Sequence, residues 1–599
     1  MEQIEHIFNE HKANDNKEFI SSQEFEIDYI KDYKKTYTNK VKVFDDFTKK
    51  YYEALKPSNK NSLISKYDDE KLDNLVNKLG HDIVMISGDF WGIQKFIFDG
   101  LVSSSASKIL RSRSAMVQLI TYVVVDIIKS EFEDSDSVLF GAGKFLILSK
   151  KEDAYLDKLK EIQKELDRYF LENYFGQNGF LLSSSVTTKE RLLNQINNEE
   201  IKDDLLNLAK DNDRKKYNKF TLTDIEDDII CVDIFKDAIS DDKICKFCSK
   251  RAIRDEDCCE VCGNQISLGQ KLTKKRYLKI YNTEQKKDDI LIFRYKYQNY
   301  YAKFFDTKIE ERENIFDISS KKYNGVSKWS LNSYVAKIDN NIKTFEELQN
   351  NSQGLIALKA DVDKLGDTFR EYYMSSFKKF NRLSRELDFF FSDYATSMME
   401  DKPLYTIFAG GDDLFLVGEY KEVIAYAKEL RDEFYKFSLN KATLSMGLVM
   451  FKHSTPINYI STLADEAEAR AKAVMKNGID RDGIDIFGIS MKFKEFLEIE
   501  KYFEEIVEFL EVNKVDTTTF YYRLIEISQM KEDINQNIKN AMWMSKLNYT
   551  IRRNISKENN DFDIYKKLVE MIEKYGKKIQ PTVFLKIYEN RDKSKKGEK

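Results

Sequence analysis

Apolar and polar positions along the chain follow the same order twice. Each stretch reads as a buried strand, a glycine-bearing turn, a helix with apolar residues at three- and four-residue spacing, and two strands joined by a glycine hairpin. The first stretch covers residues 83–148, with its helix at 106–130, and the second covers residues 355–417. This agreement in order and spacing predicts two copies of one structural unit.

The second unit continues past its hairpin. The pattern predicts a helix at 419–437, a strand at 443–451 and a further helix at 457–476. The order β-α-β-β-α-β plus a helix is that of a ferredoxin-like sheet with helices packed on one face. Polymerase and nucleotide-cyclase palm domains have this plan, so we predict an α/β (α+β) chain that contains two palms.

At 599 residues the chain exceeds the size of a single hydrophobic core. We predict five regions: an N-terminal helical region at 1–78, a degenerate first palm at 79–238, a zinc-binding insert and linker domain at 239–345, a second palm at 346–490, and a C-terminal helical bundle at 491–599. Within the bundle, apolar spacing predicts helices at 493–512, 517–530 and 533–544.

The hairpin of the second unit contains Gly410, Gly411, Asp412 and Asp413, and Asp361 ends the strand that should lie beside it. Phosphoryl transfer needs clustered carboxylates that hold Mg²⁺ or Mn²⁺. The two glycines would let a nucleotide approach the backbone closely. Alone, the tetrad is also compatible with an ordinary polar hairpin. Asp361 at the expected place upstream favours a two-metal site.

The first unit differs at its hairpin, where Gly143 and Lys144 stand at the positions of Asp412 and Asp413. A permanent cation at a metal-ligand position predicts that this half does not bind two divalent metals. Aligning Gly92 with Gly366 places Ser87 on Asp361 and Asp89 on Asp363. We expect Asp363 to contact nucleotide in the second unit. We expect Ser87, Gly88 and Asp89 to help hold a second nucleotide, with a purely structural first unit as the alternative.

Basic residues at two places in the chain are candidates for phosphate binding. Lys472 lies on an alanine-rich predicted helix, from which it could reach a triphosphate. Lys108, Arg111 and Arg113 are close together in another helix and could contact RNA or nucleotide. In both cases a solvated helix face is the alternative.

Five of the six cysteines fall within residues 245–262. A paired C-x-x-C pattern suits a tetrahedral structural zinc that folds a small insert, with Cys245, Cys248, Cys259 and Cys262 as ligands. Cys258 could replace Cys259, although only Cys259 preserves the two-residue spacing. A redox pair is the weaker alternative, because no thioredoxin-like pattern surrounds it.

Charge and hydropathy narrow the class of protein. The net charge of −5 arises from 97 basic and 102 acidic residues spread along the chain, so any RNA contact must use local patches. No apolar run approaches the roughly 20 residues of a membrane span. We expect a cytoplasmic protein without a membrane partner.

Taken together, these motifs resemble the large subunit of type III CRISPR effector complexes, particularly the Csm type. The resemblance rests on residues 88–97, 107–114, 359–366 and 410–413, and on the paired C-x-x-C insert. It implies two facing palms with ATP at their interface, and Csm-type subunits, guide crRNA and target RNA as partners. It also implies that the second palm makes cyclic oligoadenylates from ATP once target RNA binds, with Asp412 and Asp413 holding the metals and activating the 3′-hydroxyl beside Asp361.

Many members of that family carry an N-terminal HD nuclease, and this sequence departs from the pattern. Its first 75 residues lack the histidine and aspartate set, and the dipeptide His81-Asp82 directly enters a predicted strand. We therefore expect no HD-type DNase activity from this chain. Two alternatives stay open for its function: another adenylylated or dinucleotide product from the same site, or a mainly structural scaffold subunit of the guide-RNA complex.

Overall fold

The computed structural model describes residues 69–595, apart from 99–105, 142, 194–198, 221–243, 252, 254–257, 284–287, 308–314, 319–326, 330, 332–333, 339–340, 369–376, 439–441, 477–478, 513–515 and 555–560. The expectation for residues 1–78 therefore lies mostly outside the described residues. Among the helices described, none is long and apolar enough to cross a membrane.

The first palm is a four-stranded antiparallel sheet in the order β2-β3-β1-β4. Its elements are α1 (Asp69–Leu79), β1 (Asp82–Trp91), α2 (Ile93–Phe98), α3 (Ala106–Glu131), β2 (Asp136–Gly141), β3 (Lys144–Lys150), α4 (Tyr155–Tyr174), β4 (Gly179–Thr188), α5 (Lys189–Leu192) and α6 (Glu199–Tyr217). On β1, Val84 and Ile86 face one core while Ile83 and Met85 face another, because successive side chains of a strand point to opposite faces.

A middle region follows, built on a five-stranded sheet in the order β6-β7-β5-β8-β9. It consists of α7 (Glu260–Lys274), β5 (Tyr277–Tyr281), β6 (Ile290–Tyr295), β7 (Gln298–Phe305), β8 (Ile315–Asp317), β9 (Ser327–Lys328), β10 (Lys337–Ile338), β11 (Asn341–Ile342) and α8 (Phe345–Gln349). Thr344 and Glu347 form a reciprocal capping box that starts α8. This region shares a hydrophobic core with residues of both palms.

The second palm has a six-stranded sheet in the order β13-β14-β12-β15-β18-β19. Its elements are β12 (Leu355–Val362), α9 (Leu365–Thr368), α10 (Phe377–Phe389), a π-helical turn (Phe390–Tyr394), α11 (Ala395–Ser397), β13 (Leu404–Gly410), β14 (Asp413–Glu419), α12 (Tyr420–Phe437), β15 (Leu444–Phe451), α13 (Ile457–Lys472), β16 (Met475–Lys476), β17 (Ile479–Asp480), β18 (Gly483–Ile486) and β19 (Ile489–Lys492).

Helices lie on both faces of this sheet, whereas the sequence pattern predicted helices on one face. Val423 and Leu430 of α12 share a core with Ile356 and Leu358 of β12. Ile460 and Ala464 of α13 instead belong to the core on the opposite face. The alternation along β12 makes this possible, because its odd-numbered and even-numbered positions are both apolar over most of the strand.

The chain ends in a helical region packed on the second palm. It contains α14 (Phe493–Val512), α15 (Thr518–Glu532), 3₁₀ turns (Asp533–Asn535 and Ile538–Met542), α16 (Trp543–Asn554), α17 (Asp561–Tyr575), a further 3₁₀ turn (Gly576–Ile579) and α18 (Gln580–Lys595). Phe496, Phe503 and Leu524 join the even-numbered face of β12 in one core. A second continuous core joins the first palm, the middle sheet and the odd-numbered face of β12, including Ala357.

Candidate active site between the palms

Three carboxylates meet at one end of the second palm because of strand register. Asp361 on β12 lies directly opposite Asp413 on β14, and Asp413 also closes the β13–β14 hairpin against Gly410. Asp412 occupies the two-residue loop of that hairpin, next to Gly411. Gly411 has φ +66°, a conformation that favours glycine.

The electrostatics of this group fit a divalent cation. Burial, a hydrogen bond with Asp361 and the charge of Asp412 raise the pKa of Asp413 to about 8. Burial likewise raises the pKa of Asp412, although the charge of Lys144 opposes that effect. Carboxylates gathered at a half-buried place repel each other, and oxygen ligands of this kind suit Mg²⁺ or Mn²⁺.

A cavity of about 360 Å³ lies between the two palms at this hairpin. Several of the residues predicted from sequence line it: Ser87, Gly88 and Asp89 from the first palm, and Gly410, Gly411, Asp412 and Asp413 from the second. Lys144 lines it as well. The two glycine hairpins therefore share one pocket.

Lys144 of the first palm is part of the electrostatic environment of the acidic site. Burial disfavours its ammonium charge, but the carboxylates of Asp412, Asp89 and Asp413 outweigh this effect and raise its pKa. Lys144, which stands where the second palm has Asp413, thus places a positive charge beside the acidic site.

Lys472 reaches the carboxylate site from α13. Its Nζ lies 2.5 Å from Asp361 Oδ2 and 2.5 Å from Glu468 Oε1. Burial opposes its charge, but the bonds with Asp361 and Glu468 raise the pKa of Lys472 to about 12. The ammonium is therefore permanently charged beside the metal-ligand group, and its binding to phosphate stays a prediction.

Asp363 is placed differently from the prediction that it contacts nucleotide. Its carboxylate accepts hydrogen bonds from Thr443 Oγ1 at 2.7 Å, Ser445 Oγ at 2.7 Å and the backbone N–H of Asp482 at 2.9 Å. The side chain is 4% exposed. These protein donors use the acceptor capacity of the carboxylate, so Asp363 ties the end of β12 to β15 and to the segment before β18.

The prediction that Arg111 and Arg113 contact RNA or phosphate is wrong. Both are buried, because α3 packs against α7 of the middle region. Arg111 donates to Tyr405 Oη at 2.7 Å and to Gly269 O at 3.2 Å. Arg113 donates to Gln265 Oε1 at 3.1 Å and to Phe96 O at 3.2 Å. Both guanidinium groups therefore hold structural elements together.

Lys108, the third residue of that group, is half-buried, and its carbonyl group lies against Gly269 of α7. A Cβ atom at position 269 would come 2.1 Å from Lys108 O, which explains the glycine. A phosphate contact of the Lys108 side chain stays a prediction.

The register of the two palms corrects the alignment made from sequence. In the first palm Asp89 lies opposite Lys144, as Asp361 lies opposite Asp413 in the second. Asp89 therefore corresponds to Asp361, not to Asp363. The positions of left-handed backbone conformation support this correspondence, since Gly92 (φ +74°) falls on Lys364 (φ +51°). Gly366, which the alignment from sequence had used, lies inside α9.

The same register shows a counterpart of Lys472 that the sequence did not suggest. Lys216 Nζ lies 2.8 Å from Asp89 Oδ2, and Asn212 Nδ2 donates to the same oxygen at 3.1 Å. Both residues lie on α6, which packs on β4 as α13 packs on β15. No local pattern identifies them, because more than 120 residues separate them from Asp89.

Lys359 is a further residue of the site that the motifs did not identify. It lies two residues before Asp361 on the same strand and therefore on the same face, which could have identified it. It forms ion pairs with Asp465 at 2.7 Å and with Glu468 at 2.9 Å. Burial opposes its charge, but Glu468 and Asp465 raise its pKa. Glu468 therefore bridges Lys359 and Lys472.

The four predicted cysteine ligands come together as expected. The Sγ atoms of Cys245, Cys248, Cys259 and Cys262 lie within 4.8 Å of one another, and all four residues are buried. Cys259 caps α7, where its Sγ accepts from Cys262 N. Cys258 is partly exposed and lies outside this group. The buried thiolate set fits zinc.

Comparison with known proteins adds to this geometry. The family described as "Cas10/Cmr2, second palm domain" matches residues 355–480, and "Csm1 subunit domain B" matches residues 82–229. In these two regions the chain is similar to Cas10 and Csm1 proteins, the large subunits of type III CRISPR complexes. The resemblance inferred from the motifs is thereby confirmed.

Two relatives are proteins named "CRISPR system single-strand-specific deoxyribonuclease Cas10/Csm1 (subtype III-A)". The one from Enterococcus italicus is 25% identical over 488 residues, which cover 76% of this chain and 60% of the relative. The one from Streptococcus thermophilus is 30% identical over 247 residues, which cover 38% of this chain and 31% of the relative. The matched chain thus spans less than two thirds of either relative.

Solved structures show the same fold. A Csm1–Csm4 cassette in complex with one ATP superposes with a TM-score of 0.60 at 20% identity, over 82% of this chain and 69% of the other. A cassette in complex with cA4 gives 0.57 at 19% identity, over 82% and 70%. At this level of identity the likeness shows the fold alone.

Proposed function

We propose that this chain is the large subunit of a type III CRISPR RNA-guided effector complex that converts ATP to cyclic oligoadenylate messengers when target RNA binds. The observation that carries this proposal is the pairing of Asp361 with Asp413 beside Asp412, in a pocket whose opposite wall is the first palm. A polymerase-like palm that acts alone would need the three carboxylates but not the opposite wall formed by the first palm.

Asp361, Asp412 and Asp413 are proposed to hold Mg²⁺ or Mn²⁺. Bound there, the ions would orient the triphosphate, activate the attacking 3′-hydroxyl and neutralise the leaving oxygens. Gly410 and Gly411 leave the backbone of the hairpin open to close approach by the nucleotide, and Lys472 supplies a positive charge behind it.

The first palm is proposed to hold a second nucleotide. Ser87, Gly88 and Asp89 line the same pocket, and Lys216 beside Asp89 repeats the pairing of Lys472 with Asp361. Two nucleotides on facing palms would present one 3′-hydroxyl to the other triphosphate, as chain formation and ring closure require.

Relatives support the choice of substrate and partners. Csm1–Csm4 cassettes have been solved with ATP and with cA4 bound. We propose ATP as substrate, other Csm-type subunits including one like Csm4 as protein partners, and guide crRNA with target RNA as nucleic-acid partners. The four cysteines are proposed to hold a structural zinc.

We further propose that this sequence has no HD-type DNase activity, although its relatives are named as single-strand-specific deoxyribonucleases. Its first 75 residues lack the histidine and aspartate set. His81 is exposed at the start of β1 and contacts Asp82 and Glu190, at 3.4 and 3.7 Å. A divalent-metal assay on single-stranded DNA with the assembled complex tests this point.

The main experiment incubates the assembled complex with ATP, Mg²⁺ or Mn²⁺, and either matching or mismatched RNA, and then identifies every soluble product by mass. Cyclic oligoadenylates with matching RNA are expected, and none from a variant carrying both Asp412→Ala and Asp413→Ala. Persistent product from that variant would reject the site. Another adenylylated or dinucleotide product would change the reaction assigned, and negligible ATP turnover would indicate a scaffold subunit.

A further inference from the structure

Asp388 is a buried carboxylate at the end of α10, between the glycine hairpins of the two palms. It is 6% exposed and lines the shared pocket. Its Oδ1 accepts the backbone N–H of Gly411 at 2.9 Å. Directly after it the helix widens into the π-helical turn Phe390–Tyr394, a local irregularity that often marks functional positions.

The other side of Asp388 touches the first palm. A Cβ atom built on Gly141 would lie 2.6 Å from Asp388 Oδ1 and 3.0 Å from Oδ2. Gly141 is not among the glycines with positive φ, so its backbone does not require glycine. A methyl group at this position would instead have to displace the Asp388 carboxylate. One carboxylate thus contacts the hairpin tips of both palms.

Burial of the Asp388 carboxylate lowers the stability of the folded state. Burial raises the pKa of Asp388 to about 7, while the bond from Gly411 opposes the rise. An apolar residue at the end of α10 would avoid that cost, since Leu387 and Phe389 on either side belong to the core. What the carboxylate provides, and an apolar residue would not, is the hydrogen bond with Gly411, the residue before Asp412.

We propose that Asp388 is a positioning residue that holds the hairpin containing Asp412 and Asp413 against Gly141 of the first palm. It fixes the two carboxylates in the place where they bind a divalent cation. This inference deepens the proposed function and rests on it for the reaction, but the position of the hairpin is a property of the chain alone.

Two measurements on the assembled complex test the proposal. Hydrogen exchange followed by mass spectrometry reports the protection of peptides that contain Gly411. Mn²⁺ titration followed by electron paramagnetic resonance reports cation affinity without any turnover. The variants are Asp388→Ala, which removes the acceptor, and Asp388→Asn, which keeps an oxygen that can accept from Gly411.

Asp167→Ala serves as the matched control. Asp167 is also buried on a helix, burial also raises its pKa to about 7, and Gln163 donates to it at 2.8 Å. It lies on α4 and is absent from the lining of the shared pocket. A loss of stability without a positioning role should therefore appear equally in Asp167→Ala and Asp388→Ala.

For Asp388→Ala we expect faster exchange at the hairpin and Mn²⁺ binding weakened by about 10- to 100-fold, the usual loss when a group that orients metal ligands is removed. Asp388→Asn should restore most of both signals. Turnover should fall through kcat more than through KM for ATP, because the change displaces metal ligands and leaves the nucleotide-binding walls intact.

Gly141→Ala tests the contact with the first palm. Its methyl group would displace Asp388 and weaken Mn²⁺ binding in the same way. The double variant Gly141→Ala with Asp388→Ala should be no worse than Asp388→Ala alone, because the methyl group then fills the vacated space. Additive losses would overturn the proposed contact.

Unchanged exchange and Mn²⁺ affinity in Asp388→Ala, or losses that match those of Asp167→Ala, would overturn the proposal. Failure of the proposed function has a different signature. In that case the wild-type complex makes no nucleotide product, while exchange at the hairpin still separates Asp388→Ala from Asp388→Asn.

Discussion

The two palms share a hairpin geometry but differ in what the hairpin carries. In each, a two-residue loop joins the strands, and an irregularity interrupts the ladder at matching places, Ser137/Leu139 and Thr406/Phe408. In each, an aspartate on the central strand faces the first residue after the loop. That residue is Lys144 in one palm and Asp413 in the other.

This difference distinguishes the structural features that both palms share from the hairpin residues that differ between them. The backbone ladder, the aspartate on the central strand and a lysine from a packed helix are present twice, as Asp361 with Lys472 and Asp89 with Lys216. Two positions of the hairpin, Gly143 and Lys144 in one palm and Asp412 and Asp413 in the other, determine which palm gathers carboxylates. The first palm has the aspartate and lysine pair, but Lys144 stands where the second palm has Asp413.

The largest effect is expected from the hairpin position itself. Asp413→Ala should lower oligoadenylate turnover about 1,000-fold, equivalent to roughly 4 kcal/mol of transition-state stabilisation, because it removes a metal ligand. Lys144→Ala, at the same ladder position of the first palm, should lower it by less than about tenfold. Turnover of the RNA-bound complex measures both, and equal losses would mean that the palms are not divided in this way.

Removal of the zinc should affect the first palm more than the second. Cys248→Ser should abolish zinc binding and increase hydrogen exchange in α4, because Arg251, three residues after Cys248, donates to Asn173 O and packs on Phe175. Helix α12 of the second palm should keep its protection. Cys258→Ser is the matched control and should retain one zinc, measured by atomic emission. Zinc loss in that variant would return Cys258 to the ligand set.

Lys472 and Lys216, the lysines paired with the central-strand aspartates, should affect the binding of different nucleotides. Lys472→Ala should raise the KM for ATP by about tenfold, the effect of losing one charged contact with phosphate. Lys216→Ala should raise it less, by about threefold, and should reduce chain elongation more than the first transfer. Product-length distributions separate these outcomes. Lys546→Ala, an exposed lysine on α16, should change neither quantity.

The smallest effect is a dependence of stability on pH. Without added divalent metal, the folded-state pKa of Asp413, about 8, lies above its unfolded value of about 4. The folded state therefore binds the proton more tightly, and stability falls as pH rises from the unfolded towards the folded pKa. Asp413→Asn should flatten this dependence of Tm between pH 6 and 8.5. Lys144→Asn should not flatten it, because the pKa of Lys144 is raised from an ordinary value that already lies above this pH range. An unchanged slope in Asp413→Asn would contradict the assignment.

Element boundaries could be predicted closely where the periodicity was strong. The helices expected at 106–130, 419–437 and 493–512 are found at Ala106–Glu131, Tyr420–Phe437 and Phe493–Val512. A helix expected at 533–544 is instead two 3₁₀ turns followed by α16, which starts at Trp543. Apolar spacing alone does not separate a 3₁₀ turn from an α-helix over so few residues.

The register within the first palm could not be predicted. Ser87 and Asp89 lie on the same face of β1, so a shift of two residues leaves the polar pattern unchanged. Glycine was a misleading marker, since the left-handed position of the second palm is filled by Lys364. Likewise, the sequence contained no sign that Arg111 donates to Tyr405, a residue 294 positions away.

The continuous core that joins the first palm to the odd-numbered face of β12 constrains how this protein can evolve. Deleting the first palm would expose Phe415, on which Phe98 packs, and the part of α13 that contacts α2 to water. Selection on the fold of the second palm therefore preserves its partner, even where selection on that partner's own chemistry has been relaxed. A duplicated unit without the carboxylate pair is in this way retained for the hydrophobic surface that it covers.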